Sequence, residues 1–129
     1  MPINQKARRI TNKIIPKIEQ LLQTKDYKKA KALAKEVYAA FDWYRQGIEN
    51  LTVLDFFHDL TDYQTKSFDD LTFYMCLDTI IRVLRIATFD EADTWWQSTF
   101  QKTLEDQFAD FEPEERVPEM LKLLKEDIK

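Results

Sequence analysis

Four polar side chains between residues 55 and 62 have a spacing that metal sites use. Asp55, His58, Asp59 and Asp62 stand at positions i, i+3, i+4 and i+7, so on a helix they share one face. A carboxylate-bridged di-iron bundle, however, requires two Glu-x-x-His pairs, and this chain has a single histidine. We therefore interpret these residues as the solvated acidic face of a short helix and expect no bound metal.

Nucleophilic and phosphate-binding chemistry has few candidates. Cys76 is the only cysteine and lies in the most apolar stretch of the chain, which predicts a buried, unreactive thiol. A catalytic triad would need a base and an orienting group beside it, and the nearest candidates are Asp78 and the distant His58. Phosphate-cradling loops need several glycines, and Gly47 is the only one. The sequence predicts no enzyme and no cofactor.

Two acidic motifs have structural explanations. Residues 90–93 spell DEAD, but without a phosphate-binding loop a capping box with Asp90 at the cap accounts for them. Six carboxylates farther along resemble half of the metal site of helical nucleotide pyrophosphatases, which need two paired motifs on facing helices: Glu105, Asp106, Asp110, Glu112, Glu114 and Glu115. One cluster at a helix end does not meet that requirement.

Asp78, Arg82 and Arg85 form a polar stripe in an otherwise apolar segment. Two interpretations stand. The arginines are receptors for an anion or a partner's carboxylate, or they form internal ion pairs, as the i, i+4 spacing of Asp78 and Arg82 indicates. The second is favoured, and Arg82 and Arg85 are kept as candidate partner-binding residues.

Basic residues form two stripes near the amino terminus: Lys6, Arg9, Lys13 and Lys17 on a first helix, and Lys28, Lys31 and Lys35 on a second. If both stripes face the same way, they make one cationic surface of the kind that binds phosphate backbones or acidic protein patches. The neighbouring aromatics, Tyr27 and Tyr38, belong to or adjoin the core stripe, so no platform for stacking bases is evident. A merely solvated lysine face explains the pattern equally well.

Two tryptophans do not fit the stripes of their helices. Trp95 is about 100° around the helix from Trp96, so both cannot enter the same core, and Trp43 is similarly offset from its stripe. Each is either buried by a second helix, the favoured alternative, or exposed for a partner. Exposed tryptophan is enriched among interface hot spots, so Trp95 and Trp43 are candidate partner-binding residues.

Charge divides the chain. The overall net charge is −4, but residues 1–35 carry ten basic and two acidic side chains, a net of +8, whereas residues 36–112 carry five basic and sixteen acidic, a net of −11. The longest run without a charged residue, residues 94–101, has eight residues, far fewer than a membrane span needs. No secretory signal is evident, and we expect a cytoplasmic protein.

The segments that contain these residues are predicted to be helices. The stretch from Ser67 to Thr88 is apolar nearly all round, which predicts the central helix of a bundle, with a start at Ser67 to Asp70. Before it, one helix is expected from about Asn4 to Gln23 with an interruption at Pro16, through either a kink or a second helix start. A second helix capped by Asp26 is expected to end at Gly47. Its apolar stripe is Tyr27, Ala30, Ala34, Val37, Phe41 and Tyr44, widened by Leu33 and Ala40.

Residues 17–41 resemble a single tetratricopeptide helix pair, through the Asp26-Tyr27 turn, Ala30 and Phe41. The resemblance implies an αα-hairpin. No second copy recurs, and one repeat does not make a solenoid.

Three further helices are expected. A short one starts at Thr52 and runs through Leu60. Another begins at Asp90, buries Trp96, Phe100, Leu104 and Phe108, with Phe111 as a further candidate, and is ended by Pro113. A last helix has Pro118 in its first turn and an apolar stripe of Leu121, Leu124 and Ile128.

The sequence therefore predicts one all-α domain, 1–129, a bundle of five or six helices with a basic hairpin at 1–46, an acidic helical core at 48–112 and a C-terminal helix in 113–129. The expected function is a non-enzymatic module that masks a partner protein, as small inhibitors, immunity proteins and antitoxins do. The alternative is a binder of nucleic acid or of another anionic surface through the basic hairpin.

Overall fold

The computed structural model describes residues 3–43, 70–90 and 99–129. This part of the chain forms five helices and no strand: α1 (Gln5–Thr24), α2 (Tyr27–Ala40), α3 (Asp70–Phe89), α4 (Thr99–Phe108) and α5 (Pro113–Asp127). The predicted all-α bundle is confirmed.

The amino-terminal hairpin forms as its caps and stripes predict. The side chain of Asn4 accepts a hydrogen bond from the backbone N–H of Ala7 and begins α1, and the side chain of Asp26 accepts one from Lys29 and begins α2. Between them, Lys25 adopts the left-handed conformation, with φ 53°, that ends α1. Pro16 lies inside α1, which continues through it as one helix, so the alternative of a second helix start is wrong.

α3 is the central element and packs against α1, α2, α4 and α5. Fourteen of its twenty residues are buried, as the nearly uniform apolar pattern predicts. Its largest fully buried side chains include Phe73, Leu77, Ile80, Ile81, Leu84 and Ile86. Leu71 and Met75 are exceptions and are exposed.

Contacts between side chains fix the directions of the helices. Tyr27 and Ala30 of α2 contact the first half of α3, at Phe73 and Cys76, so the two helices run the same way. α1 runs in the opposite direction, since its first turn meets the end of α3, where the backbone N–H of Asn4 donates to the carbonyl of Thr88 at 2.8 Å. α1 also contacts α2 on one side and α5 on the other.

The carboxyl-terminal region differs from its prediction at the two prolines. Pro113 does not end α4, which stops at Phe108; instead it lies in the first turn of α5, where Glu112 is the N-cap residue. Pro118 lies inside α5 rather than in its first turn. The physical reason is that a first-turn proline lacks only an N–H that has no helical partner, and Pro113 meets that condition first. The predicted stripe of Leu121, Leu124 and Ile128 is buried, together with Val117 and Met120.

The second helix ends at Ala40 and does not continue to Gly47 as predicted. Other predicted features lie outside the described residues: Ser67, Gly47 itself, the helix from Thr52 to Leu60, and the polar set Asp55, His58, Asp59 and Asp62. Asp90 has φ 56°, directly after the last residue of α3. That left-handed backbone is typical of a residue that ends a helix and differs from the extended conformation expected of an N-cap.

Candidate partner-binding surfaces

A cluster of buried charges joins α3 to α5. Asp78 is buried, and its carboxylate accepts hydrogen bonds from Nε of Arg82, one turn later, and from Arg116 of α5. Nε and Nη2 of Arg116 lie 2.8 Å and 2.6 Å from Oδ2 of Asp78. Both oxygens of a buried carboxylate are therefore bound by guanidinium groups, the arrangement that offsets the cost of removing charge from water.

Arg85 makes a second link to the same helix. Its Nε donates to Oδ2 of Asp127 at 3.0 Å, and its guanidinium carbon lies 3.7 Å from the ring centroid of Phe89, a cation–π distance. These contacts agree with the second interpretation of the α3 stripe, in which its arginines form ion pairs within the fold. A role of Arg82 and Arg85 in binding a partner stays a prediction, and both side chains are engaged within the fold.

Hydroxyl groups join α1 to α3 inside the core. Oγ1 of Thr88 donates to the carbonyl of Leu84 at 2.6 Å, so its single proton is used there. Oγ1 of Thr11 lies 3.2 Å from Oγ1 of Thr88 and is then the donor of that pair. Thr11 is a polar residue, but it is fully buried.

Cys76 is held as a protonated thiol. Its Sγ donates to the backbone carbonyl of Ala30 in α2 at 3.8 Å, and burial raises the pKa of the thiol to about 12 because the interior disfavours the thiolate. The prediction of a buried thiol is confirmed, and the environment is the opposite of the one that activates a nucleophile.

The basic stripes of the hairpin lie at the surface. Six of the seven residues are exposed and Lys31 is half-buried. On α1, the buried residues Ala7, Ile14 and Ile18 occupy the opposite side of the helix from Arg9 and Lys13. The same holds on α2, where Ala30 and Val37 are buried and Lys28 and Lys35 are exposed.

An ion pair lies between the two stripes. Nζ of Lys17 is 2.8 Å from Oε1 of Glu36 on α2, and both border an open surface groove between α1 and α2 that also includes Lys29. Glu36 is the neighbour of Lys35 in the chain. This ion pair joins the basic stripe of α1 to the exposed surface of α2. We call the residues Lys6, Arg9, Lys13, Lys17, Lys28, Lys31 and Lys35 the cationic hairpin face.

Trp43 belongs partly to the core. It is half-buried and packs against the hydrophobic cluster, with its ring centroid 6.2 Å from that of Phe41. Nζ of Lys6 lies 4.5 Å from the Trp43 ring centroid, a cation–π contact that joins the start of α1 to the end of the hairpin. Trp95 lies outside the described residues. The candidates Trp43, Arg82 and Arg85 thus have internal contacts.

Two residues that the sequence analysis did not select have prominent roles. Arg116 reaches Asp78 across 38 positions, and no local spacing indicates such a pair. Nζ of Lys25 lies 5.8 Å from the ring centroid of Tyr74. The pKa of Lys25 is raised, chiefly by its hydrogen bond with Tyr74 and also by the charges of Glu114 and Asp70.

No helix within 3–43, 70–90 and 99–129 has the length and apolar content to cross a membrane. In the same ranges, no three His, Cys, Asp or Glu side chains are grouped so that they would hold a metal ion.

Comparison of the chain with protein-family models, with curated proteins and with solved structures finds no match.

Proposed function

We propose that this chain is a non-catalytic module that binds and masks a partner protein, and that the cationic hairpin face contacts an acidic surface of that partner. The observation that carries the proposal is the placement of charge. The described part of the acidic region uses Asp78, Arg82 and Arg85 within the fold, whereas Arg9, Lys13, Lys28 and Lys35 are exposed on the hairpin.

Electrostatic steering gives such a face a role in association. Like charges gathered on one surface raise the rate of encounter with an oppositely charged partner, and the effect falls as salt screens it. The affinity itself comes from a small number of desolvated contacts. The partner is therefore expected to carry an acidic patch, and its association rate is expected to fall with ionic strength.

A protein is favoured over single-stranded nucleic acid because stacking groups are lacking on this face. Tyr27 donates a hydrogen bond to Asp70 and stacks near Phe73, Tyr38 packs against the core, and Trp43 lies beneath Lys6. Single-strand binders combine a cationic groove with aromatic side chains that stack on bases.

The test is capture from the native host with matched variants. One variant carries Lys13→Glu, Lys28→Glu and Lys35→Glu; the control carries Lys102→Glu, Lys122→Glu and Lys129→Glu, the same change of net charge at exposed lysines that are not part of the cationic hairpin face. We expect the wild type and the control to retain a protein that the hairpin variant loses. Equal capture by all three would contradict a role of the hairpin face.

The same face supports a second candidate, binding to the phosphate backbone of a duplex, which needs no stacking. If about four to six basic residues contact phosphate, the logarithm of the affinity falls with the logarithm of the salt concentration at a slope of about −4 to −5. Titration of a labelled duplex from low to physiological salt measures this slope. Absence of binding at low salt would exclude this candidate.

A further inference from the structure

Three large apolar side chains are exposed in the described part of the chain. They are Leu71, Met75 and Phe111, with 55%, 37% and 38% of their surfaces accessible. Their exposure is unusual here, because nearly all other large apolar side chains of α3 are buried. Single exposed apolar residues need no explanation, whereas neighbouring ones indicate an interaction surface.

The register of α3 and α5 places these three residues at the same end of the bundle. Leu71, Met75 and Asp78 follow one face of α3 at i, i+4 and i+7, and Asp78 is bound by Arg116 of α5. α5 runs in the same direction as α3, since the later pair joins Arg85 to Asp127. One turn before Arg116, the start of α5 at Pro113 is therefore level with the turn of α3 that holds Met75, and Phe111 lies two residues before that start.

Phe111 has a fixed place at this end of the bundle. Its ring centroid lies 5.3 Å from that of Phe108, the buried last residue of α4. A part of its ring is thus supported by the core, while the rest is exposed to solvent. Because such a side chain is already held in place, a partner can cover its remaining surface at a small cost in side-chain entropy.

Five exposed acidic residues lie close in the chain to the exposed apolar residues. Asp70 precedes Leu71 in the first turn of α3, Asp110 and Glu112 flank Phe111, and Glu114 and Glu115 occupy the first turn of α5; all five are exposed. We call this set, with Leu71, Met75 and Phe111, the acid-rimmed patch.

Lys25 of the chain itself lies at this end of the bundle. Lys25, from the turn between α1 and α2, is close enough for Asp70 and Glu114 to raise its pKa, and its ammonium lies over the ring of Tyr74. An ammonium group at this end of the bundle is therefore close to an aromatic ring and within the electric field of two carboxylates.

We propose that the acid-rimmed patch is a second docking surface, which binds a cationic amphipathic helix of a partner protein. Apolar side chains of that helix cover Leu71, Met75 and Phe111, and its lysines or arginines meet the surrounding carboxylates. Helix-in-groove recognition uses this combination, with apolar anchors every three or four residues and charge at the margins.

Charge and burial decide between this occupant and others. The patch is acidic and so repels nucleic acid and anionic lipid. A second copy of this chain has a cationic hairpin face, but the apolar residues of that hairpin, such as Ile14, Ile18 and Val37, are fully or nearly fully buried. That face therefore offers nothing to cover the three apolar side chains.

A synthetic peptide of Leu and Lys, about 18 residues or five helical turns long, tests the proposal. It is labelled, titrated with the full chain and followed by fluorescence anisotropy. Two peptides serve as controls: the same composition in an order that is not amphipathic, and an amphipathic peptide with Glu in place of Lys. We expect micromolar or tighter binding of the first peptide alone.

Variants locate the binding. Leu71→Gln with Met75→Gln is expected to weaken the first peptide at least about tenfold, as loss of interface anchors does. Glu114→Gln is expected to weaken it and to reduce its salt dependence, whereas Glu126→Gln, the same change on α5 about 18 Å away, is expected to have little effect. Because these residues are exposed, urea melts of the variants should match that of the wild type.

Four results would overturn the proposal: no binding of the amphipathic Leu/Lys peptide, equal binding of the scrambled or Glu-containing peptide, equal affinity of the Leu71/Met75 variant, or self-association of the chain that this variant abolishes. The last would make a second copy the occupant. The hairpin variant shares no residue with the patch, so failure of one proposal leaves the other standing.

Discussion

The charges of α3 and the charges of the hairpin belong to the same residue types but lie in opposite environments. Asp78 is buried and is paired with both Arg82 and Arg116. Lys13 and Lys28 are exposed. Paired, buried charge fixes how helices dock, and exposed charge of one sign is available to another molecule. The α3 stripe, which looks most like a receptor in the sequence, thus forms ion pairs within the fold.

The largest effect is expected at the buried carboxylate. Asp78→Ala leaves two guanidinium groups without their acceptor between α3 and α5, and should lower the free energy of unfolding by about 3 kcal/mol. Asp127→Ala removes the more exposed partner of Arg85 and should cost less than about 1 kcal/mol. Urea melts of both variants measure the difference. Equal losses of unfolding free energy would contradict the expectation that the more buried ion pair contributes more to stability.

Trp43 tests whether an apparent interface residue is structural. Trp43→Ala removes a half-buried ring that packs against Phe41 and Lys6, and should cost about 2 kcal/mol, less than a fully buried tryptophan. Lys6→Ala, which removes only the cation–π contact, should cost about 0.5 kcal/mol. An unchanged urea midpoint for Trp43→Ala would instead favour a role of Trp43 as an interface hot spot.

Trp95 carries the complementary prediction from the sequence. If Trp95 anchors a partner, Trp95→Ala should keep the stability of the wild type and weaken the partner by a few kcal/mol. If it is a bundle residue, the same change should cost about 3–5 kcal/mol of stability. The melt used for Trp43 separates these outcomes.

The hairpin charges should hardly affect folding. Lys13→Glu, Lys28→Glu and Lys35→Glu each alter an exposed side chain, and each should change the free energy of unfolding by about 0.5 kcal/mol or less. The urea midpoint of the triple variant is the measurement. A large loss would mean that the cationic hairpin face, like the α3 stripe, serves the fold.

The Cys76 thiol of the native protein should be unreactive at neutral pH. Its raised pKa of about 12 keeps the thiol protonated, so a disulfide reagent should label it only after unfolding. The unfolded thiol ionises from its ordinary pKa of 9.0, so any stability that wild type has over Cys76→Ala should shrink as the pH rises from there towards 12. Rapid labelling of the native protein would contradict the buried position.

Local patterns predicted what depends on neighbours in the chain. The Asp26 cap, the stripe of α2 and the burial of α3 follow from spacing and from the absence of a polar face. The prolines were harder, because Pro113 and Pro118 are both compatible with a first helical turn and only the position of Glu112 as N-cap decides.

Tertiary register accounts for the rest. The pair Asp78–Arg82 is visible at i, i+4, but Arg116 reaches Asp78 only because α5 docks parallel to α3 at one particular level. The exposure of Leu71 and Met75 has the same origin: their residue types indicate burial, and no described helix covers them. Such facts depend on which helix lies beside which, and apolar spacing along one chain segment does not specify that.

The central position of α3 has a consequence for exchange of its amide hydrogens with solvent. Since α3 packs against α1, α2, α4 and α5, α3 stays partly covered when any one of these helices detaches. The amides in the middle of α3, near Ile80 and Ile81, should therefore exchange with deuterium only when the whole domain opens. α4 packs chiefly on α3, so its amides are free to exchange through smaller and more frequent openings.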